Sequence, residues 1–160
     1  MAVQFGYNLG AMVVSLFEKF HGMQIEKQQN TGKEVNVWNQ YLALIAELKG
    51  HITKALAAGD KVISLVQHSD MTSKISSIAK QLGRPDNLLL LNASGALGSP
   101  ETAKSQLDLL DQEGQYGGQE INLKLTRMTQ SEKEISEIHK TCSNVLEEQN
   151  QLLKKIGNKI

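Results

Sequence analysis

Histidine, cysteine and glutamate side chains at helical spacing are the groups in this chain that could do chemistry. Glu18 and His21 stand three positions apart, which is the Glu-x-x-His spacing of di-iron helix bundles. Such bundles need a second Glu-x-x-His pair and two further glutamates on facing helices, whereas Ser136 takes the glutamate position before His139. We therefore expect Glu18 and His21 to lie on a solvated helix face.

A second spacing that suits metal ligands is His139-x-x-Cys142. Zinc requires about four ligands, and no second pair of this kind is present. Cys142 falls on an apolar heptad row, which favours a small, buried apolar side chain over a ligand or a nucleophile. We expect neither a metal nor a cofactor.

The glycine-rich stretches do not have the pattern of a phosphate-binding loop. Neither Gly95–Gly98 nor Gly114–Gly118 is followed by Lys-Ser or Lys-Thr, and both are interpreted as hinges. Ser94-Gly95 lacks the preceding glycine of a nucleophile elbow. The sequence therefore predicts that the protein is not an enzyme.

The composition favours a mostly helical chain. The 160 residues include one Trp, three Tyr, three Phe and only two Pro, so long stretches can be helical. The 17 basic residues balance the 17 acidic ones, which argues against nucleic acid as a partner and permits self-association. No Sec signal peptide and no membrane-spanning segment is predicted.

Two helices are predicted in the N-terminal part, residues 1–58. Residues 3–9 alternate and predict a short extended segment, Leu9–Ile25 predicts the first helix, and Glu26–Glu34 predicts a loop or a weakened turn. The second helix, Val35–Leu56, ends before Gly59. Its apolar face steps by three and four residues through Trp38, Tyr41, Ile45, Leu48 and Ile52.

A variable middle part is predicted for residues 59–118. Lys61–Val66 and Met71–Leu82 carry short helical patterns, with Asp70 or Thr72 as the cap of the second. Leu88–Leu91 fits either a buried strand or a helical turn. Ser99-Pro100-Glu101 predicts a helix start, with an end near Gln112. Glu113–Gly118 is predicted to be a flexible connector.

Residues 119–160 predict a coiled-coil helix. Its apolar residues repeat with the heptad period, and a helix of this length, about 60 Å, needs a long partner helix or a second copy. Ser131 and Gln149 interrupt the core rows, where they either set register or mark a splayed seam. We predict that the coiled-coil and oligomer interface consists of Ile121, Leu125, Met128, Ile135, Ile138, Cys142, Val145, Leu152 and Ile156 on this helix, with Trp38, Tyr41, Ile45, Leu48 and Ile52 on the second helix.

Two segments resemble the EspA and SseB family of type III secretion translocon proteins, which form the filament or tip extension of the bacterial needle. Residues 6–12, Gly-Tyr-Asn-Leu-Gly-Ala-Met, are similar to the start of the family's N-terminal region. Residues 122–130, Asn-Leu-Lys-Leu-Thr-Arg-Met-Thr-Gln, are similar to the opening of its C-terminal helix. The order of an apolar N-terminal helix, a variable middle and a C-terminal coiled-coil helix also matches.

The chain length predicts one helical domain over residues 1–160. The resemblance implies that its two long helices pack as a coiled coil around a partly irregular middle region. It implies an exported structural subunit that self-assembles into a filament or tip leading to the translocon and the host cell. Its partners would be further copies of itself, a cytoplasmic secretion chaperone and needle or translocator proteins, at the bacterial cell surface. The alternative hypothesis is a cytoplasmic helical adaptor or secretion chaperone that binds a partner coiled coil.

Overall fold

A computed structural model describes the backbone of residues 2–159 and the side chains of residues 10–159. The elements in chain order are α1 (Ala2–Ala57), β1 (Ile63–Ser64), a 3₁₀ helix (Val66–His68), α2 (Ser69–Gln81), β2 (Ala96–Leu97) and α3 (Pro100–Gly157). The predicted fold class is confirmed, because the two long helices pack against each other and the region between them consists of short elements and irregular segments. None of the described helices is long and apolar enough to cross a membrane.

The chain divides into two compact units, and both long helices contribute to each. Unit 1 comprises Met1–Gly32 and Leu125–Ile160, and unit 2 comprises Lys33–Lys124. In unit 1, Gln24 of α1 contacts Ser131 of α3, and Phe17 contacts His139. Because the partner's number rises as the α1 number falls, the two helices are antiparallel in this unit.

Helix α1 is longer than the sequence predicts. Its backbone is helical from Ala2, so the prediction of an extended segment over residues 3–9 is wrong. The side chains of those residues lie outside the described part. The polar stretch Glu26–Glu34 is helical as well, with the Thr31 hydroxyl donating to the Lys27 carbonyl at 2.9 Å. The predicted stop is confirmed, since Gly59 has φ +81° and its N–H bonds to the Leu56 carbonyl.

Unit 2 contains the hydrophobic core. The apolar face of α1 lies at its centre and packs against residues of β1, α2, β2, the leucine run and the start of α3. Its buried members are Trp38, Tyr41, Ile45, Leu48, Ile52, Ile63, Leu65, Ile75, Ala79, Leu88, Leu97, Ala103 and Leu110. The core therefore takes apolar side chains from both long helices, α2, both strands and the irregular segments of the unit, and none from the 3₁₀ helix.

The segment before α2 is not the helix that its sequence predicts. Ile63 and Leu65 are buried and Ser64 between them is exposed, which is the period of a strand. Ile63 pairs with Leu97 and Ser64 with Ala96 in a two-stranded antiparallel ladder. The predicted α2 is confirmed, although its start has no side-chain cap and Thr72 donates instead to the Ser69 carbonyl.

The leucine run is neither a strand nor a helical turn, and a buried glutamine of α3 satisfies two of its backbone groups. Gln106 is 0% exposed, and its Oε1 accepts from the Leu90 N–H at 2.6 Å. Its Nε2 donates to the Leu88 carbonyl at 2.9 Å. Two backbone groups thus find partners without a ladder or a helix, which lets leucines enter the core from an irregular segment.

Helix α3 starts as predicted and continues far beyond the predicted end. The Ser99 hydroxyl accepts from the Thr102 N–H at 3.1 Å, and hydrogen bonds from the backbone and from Ser99 lower the pKa of Glu101. The prediction of a flexible connector over Glu113–Gly118 is wrong, since these residues are helical. At Gly117 a Cβ would lie 2.6 Å from Leu42, so glycine permits close approach of the helices there.

A buried carboxylate lies directly before these glycines and links three segments of unit 2. Glu113 accepts from the Tyr41 hydroxyl at 3.1 Å and from two nitrogens of Arg84 at 2.6 and 3.0 Å. The Arg84 guanidinium lies 3.8 Å above the Tyr116 ring. Burial, followed by the Glu113 charge, raises the pKa of Tyr41 well above its ordinary value. The network joins α1, α3 and the segment after α2, with Glu113 on the helical backbone of α3.

Candidate functional site

The helix pair of unit 1 differs from unit 2 in having almost no interior. Among the described residues of unit 1, Ser131 is the one buried side chain, and no apolar side chain is buried. Two antiparallel helices cover only one side of each other, so their apolar seam stays partly open to solvent. The described part of unit 1 therefore lacks the apolar interior that stabilises unit 2.

The predicted interface residues of the C-terminal helix fall into two groups. The partly buried ones are Ile121, Met128, Ile135, Ile138 and Cys142. Those that remain exposed are Leu125, Val145, Leu152 and Ile156. Burial is thus partial at five predicted positions between Ile121 and Cys142, with Leu125 exposed among them, and the predicted positions beyond Cys142 are exposed.

The predicted interface residues of the N-terminal part have a different position. Trp38, Tyr41, Ile45, Leu48 and Ile52 are all buried in the core of unit 2, where residues of this same chain cover them. Tyr41, for example, is 0% exposed and bonds to Glu113. These five side chains consequently have no free surface to offer to another copy.

An apolar groove runs along one side of the unit 1 helix pair. It has a volume of about 460 Å³ and takes four residues from each helix. We call its lining the groove face, which consists of Val13, Leu16, Phe17, Phe20, Ile138, Thr141, Cys142 and Val145. The lining is predominantly apolar, so it can receive an apolar helix edge but offers little to a charged ligand.

Most of the large apolar side chains that are exposed also belong to unit 1. Leu16 is 64% exposed and Met23 is 62% exposed on α1, while Leu152 is 59% exposed on α3. The sequence prediction of the interface omitted Leu16, Phe20 and Met23. Their helical spacing predicted a helix correctly, but it could not show which side of that helix the partner would leave uncovered.

The middle of the seam is polar. The Ser131 hydroxyl donates to Gln24 Oε1 at 2.7 Å, and the Nε2 of Gln28 is buried without a hydrogen-bond partner among the described residues. A buried donor with no acceptor costs about 1–3 kcal/mol. Ser131 therefore lies in the seam as its heptad position predicts, and the unpaired Gln28 donor makes this part of the seam less favourable. The other polar interruption, Gln149, is partly buried and lies against Gly10.

The possible metal ligands singled out in the sequence partly come together in this unit. The His21 and His139 ring centroids are 5.2 Å apart, and Phe17 contacts both rings. Cys142 is a free thiol in the groove face. Within residues 10–159, no group of three or more His, Cys, Asp or Glu side chains is arranged to hold a metal ion.

Comparison of the chain with protein-family models, with curated proteins and with solved structures finds no match.

Proposed function

We propose that this chain is a non-catalytic structural subunit that self-assembles through the groove face of unit 1. The observation that carries the proposal is the contrast between the units: unit 2 buries a full apolar core, and the described part of unit 1 buries no apolar side chain. Contiguous exposed apolar surface rimmed by polar residues is typical of protein–protein interaction sites. A third or fourth helix packed on the groove face would complete the interior of unit 1.

A second copy of this chain is the proposed occupant of the groove face. Leu16, Met23 and Leu152 project from the same helix pair that forms the groove, so each copy supplies both a groove and an exposed apolar helix edge. The net charge of zero removes the long-range repulsion that would keep two copies apart. Heptad patterns in more than two helices commonly pack in this way.

The assembly that we propose is the filament or tip of a type III secretion apparatus. Support comes from the resemblance of residues 6–12 and 122–130 to the EspA and SseB family, and from the shared order of two long helices around an irregular middle. The proposal includes export without a Sec signal, a position at the bacterial surface, and contacts with needle or translocator proteins. It also includes a cytoplasmic chaperone that covers the groove face before export.

Self-assembly is tested with paired substitutions in the groove face. We expect sedimentation velocity and negative-stain electron microscopy of the wild-type chain to give fibres or large particles whose amount rises with concentration. Phe20→Asp combined with Val145→Asp places one carboxylate on each helix of the groove. We expect this variant to raise the dissociation constant by at least about 100-fold, because burying unpaired charge in an apolar contact costs several kcal/mol.

The control is Val62→Asp, which places one carboxylate at an exposed apolar side chain of unit 2, outside the groove face. It should assemble like the wild type, and circular dichroism should give the same helix content for all three proteins. Assembly of the double variant at wild-type concentrations would refute the groove face as the contact. A small wild-type dimer or trimer whose size does not change with concentration would instead support the adaptor or chaperone hypothesis.

Export is tested separately from assembly. A tagged chain should appear in the culture supernatant of a bacterium with a working type III apparatus and should stay inside an otherwise identical strain whose apparatus is inactivated. Equal amounts in both supernatants would contradict the secretion part of the proposal and leave self-assembly untouched.

A further inference from the structure

Two histidines that are distant in the sequence face each other across the helix pair of unit 1. His21 lies on α1 and His139 on α3, with ring centroids 5.2 Å apart and ring planes at 79°. The Phe17 ring stacks on His21 with ring centroids 5.6 Å apart, and it makes a T-shaped contact with His139 with centroids 4.5 Å apart. Each histidine ring is therefore positioned by the other and by one shared aromatic neighbour.

This separation suits two imidazoles that share one metal ion. Two imidazole nitrogens bound to a tetrahedral zinc at about 2.0–2.1 Å place their ring centroids roughly 5 Å apart. His139 is exposed and His21 is partly exposed, so a cation and water can reach the pair. Imidazole nitrogen binds zinc, copper and nickel in preference to the hard cations magnesium and calcium.

We propose that His21 and His139 together bind one divalent transition-metal cation of the zinc class, with water completing its coordination. Sequence spacing alone gave His139 no partner except Cys142, and antiparallel packing of the helices supplies His21. The site has two protein ligands, in keeping with the lack of any three-ligand group among residues 10–159. Binding is accordingly reversible and weaker than that of a four-ligand structural zinc.

A cation bound here would join α1 to α3 where the seam is otherwise weakly held. Gln28 lies two turns from His21 on α1 and has a buried donor without a partner. A ligand that binds the paired helices and not the separated ones stabilises the pair by mass action. The site lies within one chain and needs no second copy, so its existence is independent of self-assembly.

The test is zinc binding to the full-length chain, measured by isothermal titration calorimetry in a buffer that does not chelate metals. We expect one zinc per chain with a dissociation constant in the micromolar range. His21→Ala and His139→Ala should each weaken binding by at least tenfold. His68→Ala is the matched control, because His51 and His68 form a second ring pair in unit 2, stacked at 3.9 Å and 29°. This control and Cys142→Ser should bind zinc like the wild type.

A measurement on the wild-type chain guards against variants that merely misfold. The cobalt(II) complex should show the visible absorption of nitrogen and oxygen ligands and no thiolate charge-transfer band. The proposal is overturned if the wild-type chain takes up no zinc at millimolar concentration. It is also overturned if folded His21→Ala binds zinc like the wild type, or if the thiolate band shows that Cys142 is the ligand.

Discussion

Gly117 and its neighbouring glycines allow a sharp test of how closely α1 and α3 pack in unit 2. A Cβ at position 117 would lie 2.6 Å from Leu42 Cδ2 and 3.1 Å from Trp38 Cε3, well inside the 3.5–4.0 Å or so of ordinary carbon contacts. Trp38 is buried, so its ring has little room to move. Overpacking of this kind costs about 1–3 kcal/mol, whereas alanine gains about 0.8–1.0 kcal/mol over glycine in a helix. Gly117→Ala should therefore lower the free energy of unfolding by up to about 2 kcal/mol.

The control substitutions lie within one turn of the same helix. A Cβ at Gly114 or Gly118 would meet nothing within 4 Å, so Gly114→Ala and Gly118→Ala should each stabilise the protein by up to about 1 kcal/mol. The free energies of unfolding of Gly117→Ala and Gly118→Ala should thus differ by about 1–3 kcal/mol. Gly117→Ala should be less stable than the wild type and Gly118→Ala more stable.

Trp38 is the sole tryptophan and lies in this contact, so its fluorescence during a urea titration reports on unit 2. The midpoints of the four proteins can be compared directly if the slopes are equal. If Gly117→Ala stabilised the chain as much as Gly118→Ala, the close approach of the helices would be refuted. If all three alanine variants were destabilised, the helix through residues 113–118 would be refuted instead.

Two further predictions concern polar groups inside unit 2. Gln106→Ala should destabilise unit 2 by about 2–5 kcal/mol in the same urea titration, because the Leu88 carbonyl and the Leu90 N–H both lose their partner. A loss of stability below about 1 kcal/mol would contradict the role of Gln106 as the partner of these backbone groups. Alkaline pH should destabilise the wild type from about pH 10 upward, because unfolded tyrosine ionises there while burial and Glu113 keep Tyr41 protonated in the fold. Tyr41→Phe should reduce this loss of stability with rising pH, and an unchanged pH dependence would contradict the raised pKa.

The helices could be predicted from the sequence where a local signal exists. The apolar face of Val35–Leu56, the stop at Gly59 and the start at Ser99 are all local patterns, and each has its expected structure. The errors arise where tertiary contacts override such signals. Glycines predicted a connector at residues 113–118, but α3 is helical there, and the bonds of Glu113 to Tyr41 and Arg84 hold this part of the helix against the rest of unit 2.

The candidate site was predictable only in part, for a related reason. Heptad rows identify residues such as Ile135 and Cys142 that face another helix, but they do not say which helix covers them or how completely. The buried Trp38 and the exposed Leu16 both follow helical spacing, and only the fold distinguishes core from open groove. The meeting of His21 with His139 depends on the antiparallel register, which no short motif encodes.

The division of the chain between the two units has a consequence for its synthesis. Unit 2 is one continuous stretch, whereas unit 1 joins the beginning of the chain to its end. On a ribosome that adds about 5–20 residues per second, residues 10–32 emerge roughly ten seconds before the last part of α3 exists. Throughout that interval the apolar side chains from Met12 to Met23 have no partner helix within their own chain. The nascent protein thus exposes these residues to other molecules before α3 can cover the partly buried side chains among them, Val13 and Phe17.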